Sequence, residues 1–97
     1  MPKRVERAYL VSVVRRKDEE PRAESLLDEL AELTGNLGIE VAGRVIVRPR
    51  RAYPRFMLGS GKVGEVIAAA QAQLCDVIIF DNPLSPGQQR NWETESE

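Results

Sequence analysis

The sequence predicts an α/β domain, with a small, mainly parallel sheet of about four strands flanked by helices. Short runs rich in β-branched residues alternate with helical patterns 12–15 residues long. One apolar run, Cys75-Asp-Val-Ile-Ile-Phe80, is nearly continuous, as expected of an inner parallel strand covered on both faces. Consecutive parallel strands need crossovers, and these are expected to be right-handed.

The first strand is read at Ala8–Val14, followed by the polar break Arg15-Arg-Lys-Asp-Glu-Glu-Pro21. Pro21 suits the first turn of a helix, because its missing N–H has no intrahelical partner there. From Glu24 to Leu37 the leucines at 26, 30, 33 and 37 recur at spacings of 4, 3 and 4, which predicts one apolar stripe. Glu24, Asp28, Glu29 and Glu32 fall on the other side as a solvated acidic face. Gly38 is the candidate for the left-handed residue that ends the helix. A second strand follows at Ile39–Val47, with Gly43 marking a bulge and Pro49 ending it. Phe56–Leu58 suggests a short third strand. Ser60 is placed to cap a helix from Gly61 to Leu74, with Val63, Val66, Ile67, Ala70 and Leu74 on one face. After the apolar run, Ser85, Pro86 and Gln88 form the pattern of a capping box opening a last helix. In that helix only Trp92 is apolar between Gln88 and Glu97, which implies a partner for Trp92 beyond residue 97 or a chain cut from a longer protein.

Composition removes several function classes. Ninety-seven residues make one small domain, and no apolar run approaches the roughly 18 residues of a membrane span. The basic start runs into a short alternating strand with no cleavage site behind it, which argues against a secretory signal. The single cysteine, Cys75, cannot form an internal disulfide and reads as a buried thiol in a reducing cytoplasm. With no histidine and one cysteine, this chain cannot build a His/Cys zinc site or a Ser-His-Asp or Cys-His pair. The net charge of −1 conceals segregation: residues 1–17 carry +5, 18–40 carry −7, 41–64 carry +6 and 65–97 carry −5.

The stretch Gly59-Ser-Gly-Lys-Val-Gly64 carries two nucleotide-like patterns. As a P-loop it fails, since Phe56 stands where the first glycine belongs and Val63 where the metal-binding Ser or Thr belongs. As a dinucleotide fingerprint, G-x-G-x-x-G has the right spacing, and Asp81 follows Gly59 by 22 residues at the end of the next strand. The glycines, however, follow Arg51-Ala-Tyr-Pro-Arg55 instead of a long buried strand. Two readings remain: a tight turn capped by Ser60, or an anion or phosphate site built from the backbone N–H groups of Gly59–Val63 at the helix N-terminus, with Lys62. The basic tract Arg44, Arg48, Arg50, Arg51, Arg55 and Lys62 also has two readings. It contacts nucleic-acid phosphates, with Tyr53 and Phe56 available for stacking on bases, or it is a solvated loop pairing with the acidic helix. Asp81 and Asn82 end a strand where α/β ligands bind, and turn chemistry before Pro83 explains them equally well.

Read in order, the Ala-Tyr-Leu-Val strand, the Ser-Leu-Leu-Asp-Glu-Leu-Ala-Glu-Leu helix, Gly-Ile-Glu-Val-Ala-Gly-Arg-Val and the Arg-Pro-Arg-Arg tract resemble one family. Phe-Met-Leu-Gly-Ser-Gly-Lys-Val, Asp-Val-Ile-Ile-Phe-Asp-Asn-Pro-Leu-Ser-Pro and Gln-Gln-Arg-Asn-Trp-Glu complete the likeness. It is to the N-terminal domain of HflX-type GTPases, cytoplasmic translation-factor-class proteins that bind the large ribosomal subunit. The resemblance implies a single domain over residues 1–97, with residues 84–97 starting a helix that continues into a helical hairpin and then a G domain. GTP and Mg2+ belong to that G domain, so this chain is expected to hold no cofactor and to hydrolyse no GTP. Expected partners are the large subunit and its RNA, through Arg48, Arg50, Arg51, Arg55 and Lys62, and the protein's own hairpin and G domain. No membrane partner is expected. The alternative is a regulatory domain holding ATP or another phosphate ligand at Gly59, Ser60, Gly61 and Lys62. The family pattern usually has an acidic residue where Gly64 stands, which makes the third glycine incidental.

Overall fold

The computed structural model describes residues 5–96; the basic start at residues 1–4 and the last residue lie outside the described residues. Three strands and three helices alternate: β1 (Arg7–Val13), α1 (Glu20–Asn36), β2 (Glu40–Val47), α2 (Ser60–Ala72), β3 (Val77–Phe80) and α3 (Pro86–Glu95). The sheet is parallel throughout, in the order β2-β1-β3. The chain crosses the sheet in one direction through α1 and in the other through α2. A constant hand of crossover then puts these helices on opposite faces, and the core divides accordingly.

On one face Ala8 and Leu10 pack with Leu27, joined by Leu30, Ala31, Val77 and Ile79. On the other, Tyr9 and Val11 meet Val63, Val66 and Ala70 of α2, Trp92 of α3, and Phe56 and Leu58 from the long loop. Central β1 is therefore almost wholly buried from Ala8 to Ser12, whereas every residue of β3 is only half-buried. The apolar run read as an inner strand is an edge of this sheet. Phe56–Leu58 forms no strand; Phe56 and Leu58 enter the core as loop side chains, and Met57 takes a positive φ of 68°.

The periodicity of α1 needs one correction. Ala23, Leu27 and Thr34 are its buried residues, with Leu30 half-buried, while Leu33 and Leu37 are 62% and 76% exposed. Spacings of 4, 3 and 4 do run along the helix, but on a stripe started by an alanine and ended by a threonine. Thr34 enters it because its hydroxyl donates to the Leu30 carbonyl at 2.7 Å, so no polar atom is left unpaired. In α2 the helix stops at Ala72, leaving Leu74 77% exposed with φ 58°.

Gly43 sits beside a bulge, because Ala8 pairs with Val41 and Tyr9 with Gly43, leaving Ala42 as the extra residue. A Cβ at Gly43 would lie 2.7 Å from Gln73 Oε1 and 3.0 Å from Tyr9 Cε1. Burial pushes the Tyr9 phenol above its ordinary value, with Cys75 adding to the shift and Lys62 opposing it. The Cys75 thiol is likewise pushed up, chiefly by desolvation, in keeping with a half-buried, protonated group.

Candidate nucleic-acid interface

Parallel strands end together, so the loops after β1, β2 and β3 share the carboxyl end of the sheet. The Val14 N–H donates to the Val47 carbonyl at 2.9 Å, which brings Arg15-Arg-Lys17 beside the start of the arginine loop. Arg48, Arg50, Arg51 and Arg55 all lie exposed on that loop, and Lys62 is exposed in the first turn of α2. The basic residues after β1 are the part of this end that sequence reading missed, having taken them as a polar break. Of these, Arg16 pairs with Asp18 at 3.1 Å, and Glu19 accepts from the backbone of Arg15 and Arg16. Only the register of the two strands could have joined this segment to the arginine loop.

The acidic face of α1 does not neutralise the loop. It takes Arg44 alone, whose guanidinium donates to Asp28 and Glu24 at 2.7 Å each. The hydrogen bond that Arg44 donates to Asp28 leads the causes that hold its guanidinium above the ordinary pKa. Arg44 is thus a tie between β2 and α1, set apart from the rest of the tract. Among the described residues no carboxylate pairs with Arg48, Arg50, Arg51 or Arg55. Lys62 reaches Glu65 one turn on, at 3.2 Å.

Helix α3 fixes the loop's backbone at residues 54–56. Gln88 Nε2 donates to the Pro54 carbonyl at 3.1 Å, Asn91 Nδ2 to that of Arg55 at 2.9 Å, and Trp92 Nε1 to that of Phe56 at 2.8 Å. Three successive carbonyls are therefore held by side chains at helical spacings of 3 and 1, on one face of α3. Trp92 is 5% exposed and stands edge-on to Phe56 and Phe80, with ring centroids 5.9 and 4.9 Å away. Its partners lie within residues 5–96, which corrects the expectation of a partner beyond residue 97. Ser85 and Gln88 do form the capping box that opens α3.

The aromatic component is smaller than expected. Phe56 is buried, so stacking on a base is closed to it. Tyr53 is half-buried against Gly59, where a Cβ would lie 3.2 Å from its ring, and Arg51 covers it at 5.4 Å. Arg55 lies over Phe56 at 5.2 Å. These contacts restrain two guanidinium groups while leaving their donors toward solvent.

The glycine motif also resolves. Gly59, not Ser60, is the N-cap of α2; it has no side-chain cap, and Ser60 is the first helical residue. Extended backbone at Gly59 starts the helix one residue earlier than a serine cap would. A Cβ at Gly61 or Gly64 would meet nothing within 4 Å, so neither glycine serves the close helix–strand packing of a dinucleotide fingerprint. Asp81 and Asn82 are taken up structurally: the Asp81 N–H donates to the Val11 carbonyl at 2.8 Å. The Asn82 carboxamide accepts from the Val13 N–H at 2.7 Å and donates to its carbonyl at 2.9 Å, extending the ladder beyond β3. That side chain thus spans β1 and the segment after β3 at the carboxyl end of the sheet, where such folds place their ligand crevice.

Nor do these residues fit GTP with its Mg2+. Val63 lacks the hydroxyl a P-loop supplies to the metal, and among the described residues no three His, Cys, Asp or Glu side chains converge. Likewise no helix among them is long and apolar enough to cross a membrane.

The fold and this end of the sheet define a small parallel α/β domain carrying a basic loop braced by α3. A family model described as GTP-binding GTPase N-terminal matches residues 24–97. The chain is 45% identical over 92 residues to a GTPase HflX of Akkermansia muciniphila, covering 95% of this chain and 21% of that protein. It is 36% identical to the GTPase HflX of Escherichia coli (91% and 20% covered) and 34% to that of Flavobacterium psychrophilum (89% and 21%). The chain belongs to the family of N-terminal domains of HflX-type GTP-binding proteins. It spans about a fifth of the length of the relatives it matches.

Proposed function

We propose that this domain is the ribosome- and RNA-contacting, regulatory part of a cytoplasmic HflX-like GTP-binding protein, and that it hydrolyses no GTP itself. The observation that carries this reading is the group of exposed arginines at 48, 50, 51 and 55, unpaired with any described carboxylate and held on a braced loop. Guanidinium groups suit the phosphates of structured RNA, and each phosphate neutralised releases bound counterions. In this reading Lys62 adds a further phosphate partner, and Arg15 and Lys17 widen the surface. GTP and Mg2+ belong to a G domain elsewhere in the longer protein, and α3 leads toward a helical hairpin against which this domain packs.

Titration of labelled large-subunit RNA and labelled ATP, each at two salt concentrations, tests the proposal. RNA binding that weakens with salt and falls in Arg50→Ala/Arg51→Ala supports it. Saturable ATP binding at the N-terminus of α2, lost in Lys62→Ala and without RNA affinity, overturns it in favour of a phosphate-binding regulatory domain.

A further inference from the structure

The arginine loop has two halves that are held very differently. In the second half the Met57 N–H donates to the Tyr53 carbonyl at 2.8 Å, and the carbonyls of residues 54–56 accept from Gln88, Asn91 and Trp92. Every carbonyl from Tyr53 to Phe56 therefore has a partner, and the turn leaves through Met57 at a positive φ. In the first half Arg50, Arg51 and Ala52 make no hydrogen bond among the described residues.

Of the four arginines, Arg55 alone lies in the held half. Asn91 pins its carbonyl, and its guanidinium lies over the ring of Phe56. That ring is 6% exposed and stands edge-on to Trp92, so Arg55 is seated on the core itself. Arg51 also covers a ring, that of Tyr53, but its own backbone is unheld.

The same contacts bear on the form of nucleic acid. Single strands are bound by aromatic rings on which their bases stack. Here Phe56 is buried, and Tyr53 is half-buried with Gly59 against its ring and Arg51 over it. Neither ring is offered to a base, which leaves phosphates as the contact. A double helix of RNA is recognised by its shape and through its phosphates and 2′-hydroxyls, and its phosphates stand at set spacings. A cation held in one place gains most from such a ligand, since little freedom is lost on contact.

Resting on the RNA-contacting reading, we infer that the loop takes the backbone of an A-form RNA duplex, with Arg55 as its specificity-determining residue. Arg55 sets where one phosphate has to lie. Arg50 and Arg51 supply charge that follows the ligand, whether duplex or single strand. A lysine at position 55 keeps the charge but not the planar fork that stacks on Phe56.

Anisotropy titrations of this chain test the inference with two labelled RNAs, a hairpin with a stem of about sixteen base pairs and an unstructured strand of the same length in nucleotides. The wild type is expected to favour the hairpin by about tenfold. Arg55→Lys and Arg55→Ala are both expected to bring that ratio close to one, the lysine variant with the salt dependence of the wild type. Arg50→Ala/Arg51→Ala is expected to weaken both RNAs alike and to leave the ratio in place. A ratio unmoved in Arg55→Lys, or lost equally in the Arg50/Arg51 variant, overturns the inference while the RNA-contacting reading stands. A wild type that binds the single strand as tightly as the hairpin does the same. A wild type that binds neither RNA overturns both. Trp92 fluorescence checks that each variant is folded. If Arg55→Lys is not, Asn91→Ala, which frees the Arg55 carbonyl and keeps the guanidinium, is expected to lower the ratio in its place.

Discussion

Trp92 joins the core to the arginine loop. Its ring closes the core between Phe56 and Phe80, and its indole N–H satisfies a loop carbonyl. Trp92→Ala opens a cavity and leaves the Phe56 carbonyl unpaired, a loss of about 3–5 kcal/mol. In a domain with roughly 5–10 kcal/mol in total, this is expected to move the urea midpoint by about half its value, measured by circular dichroism. Tyr9 gives a pH dependence of definite sign. Its folded pKa is raised above the usual phenol value near 10, so the stability from burying the neutral ring is complete below that pH. That stability is lost as pH rises through the folded value. Unfolding followed from pH 8 to 11 is expected to show this alkaline loss, and Tyr9→Phe to flatten it. At this scale the sequence was a partial guide. Composition showed that Trp92 lacked a partner on its own helix, but Phe56 and Phe80 lie 36 and 12 residues away, and no periodicity links them.

Helix ends were more legible than helix faces. Gly38, with φ 81°, closes α1 as its position implies: the Gly38 N–H donates to Gly35 and the Ile39 N–H to Thr34. The same pattern closes α2, with the Leu74 N–H donating to Gln71 and the Cys75 N–H to Ala70. There, however, a leucine occupies the left-handed position and its side chain lies in solvent. Leu74→Gly is therefore expected to stabilise the domain by about 0.5–1 kcal/mol, and Gly38→Ala to destabilise it by a similar amount. Chemical denaturation of both variants checks the pair. Ser85→Ala removes the cap of α3 and is expected to cost about 1 kcal/mol. Caps could be read because a serine, a proline or a glycine acts within one turn of itself. The faces of α1 could not be read as well, since counting leucines skips Ala23 and Thr34, which complete the buried stripe. The failed Ser60 cap is the same lesson reversed: a residue of the right type stands one position inside the helix.

For the molecule as a whole, the alternating charge blocks become poles and ties. The +6 block divides into Arg44, bound to α1, and the remainder at the carboxyl end of the sheet. Substituting Arg50 and Arg51 by alanine is accordingly expected to reduce the salt slope of the proposed RNA binding by about 1 for each phosphate left without its guanidinium. Arg44→Ala is expected to leave that slope unchanged, and filter binding across a salt series separates the two. The α/β class was legible because alternating strand and helix patterns admit few arrangements. The juxtaposition of Arg15–Lys17 with Arg48–Arg55 was not, because it arises only from the pairing of β1 with β2. The grip of α3 on the carbonyls of residues 54–56 bears on how binding proceeds. For the proposed RNA contact, a segment already held in place at residues 54–56 leaves less ordering for the encounter. Calorimetry at several temperatures is then expected to show only a small heat-capacity change on RNA binding. In Asn91→Ala, where the Arg55 carbonyl loses its partner, the same titration is expected to acquire a larger unfavourable entropy at similar enthalpy.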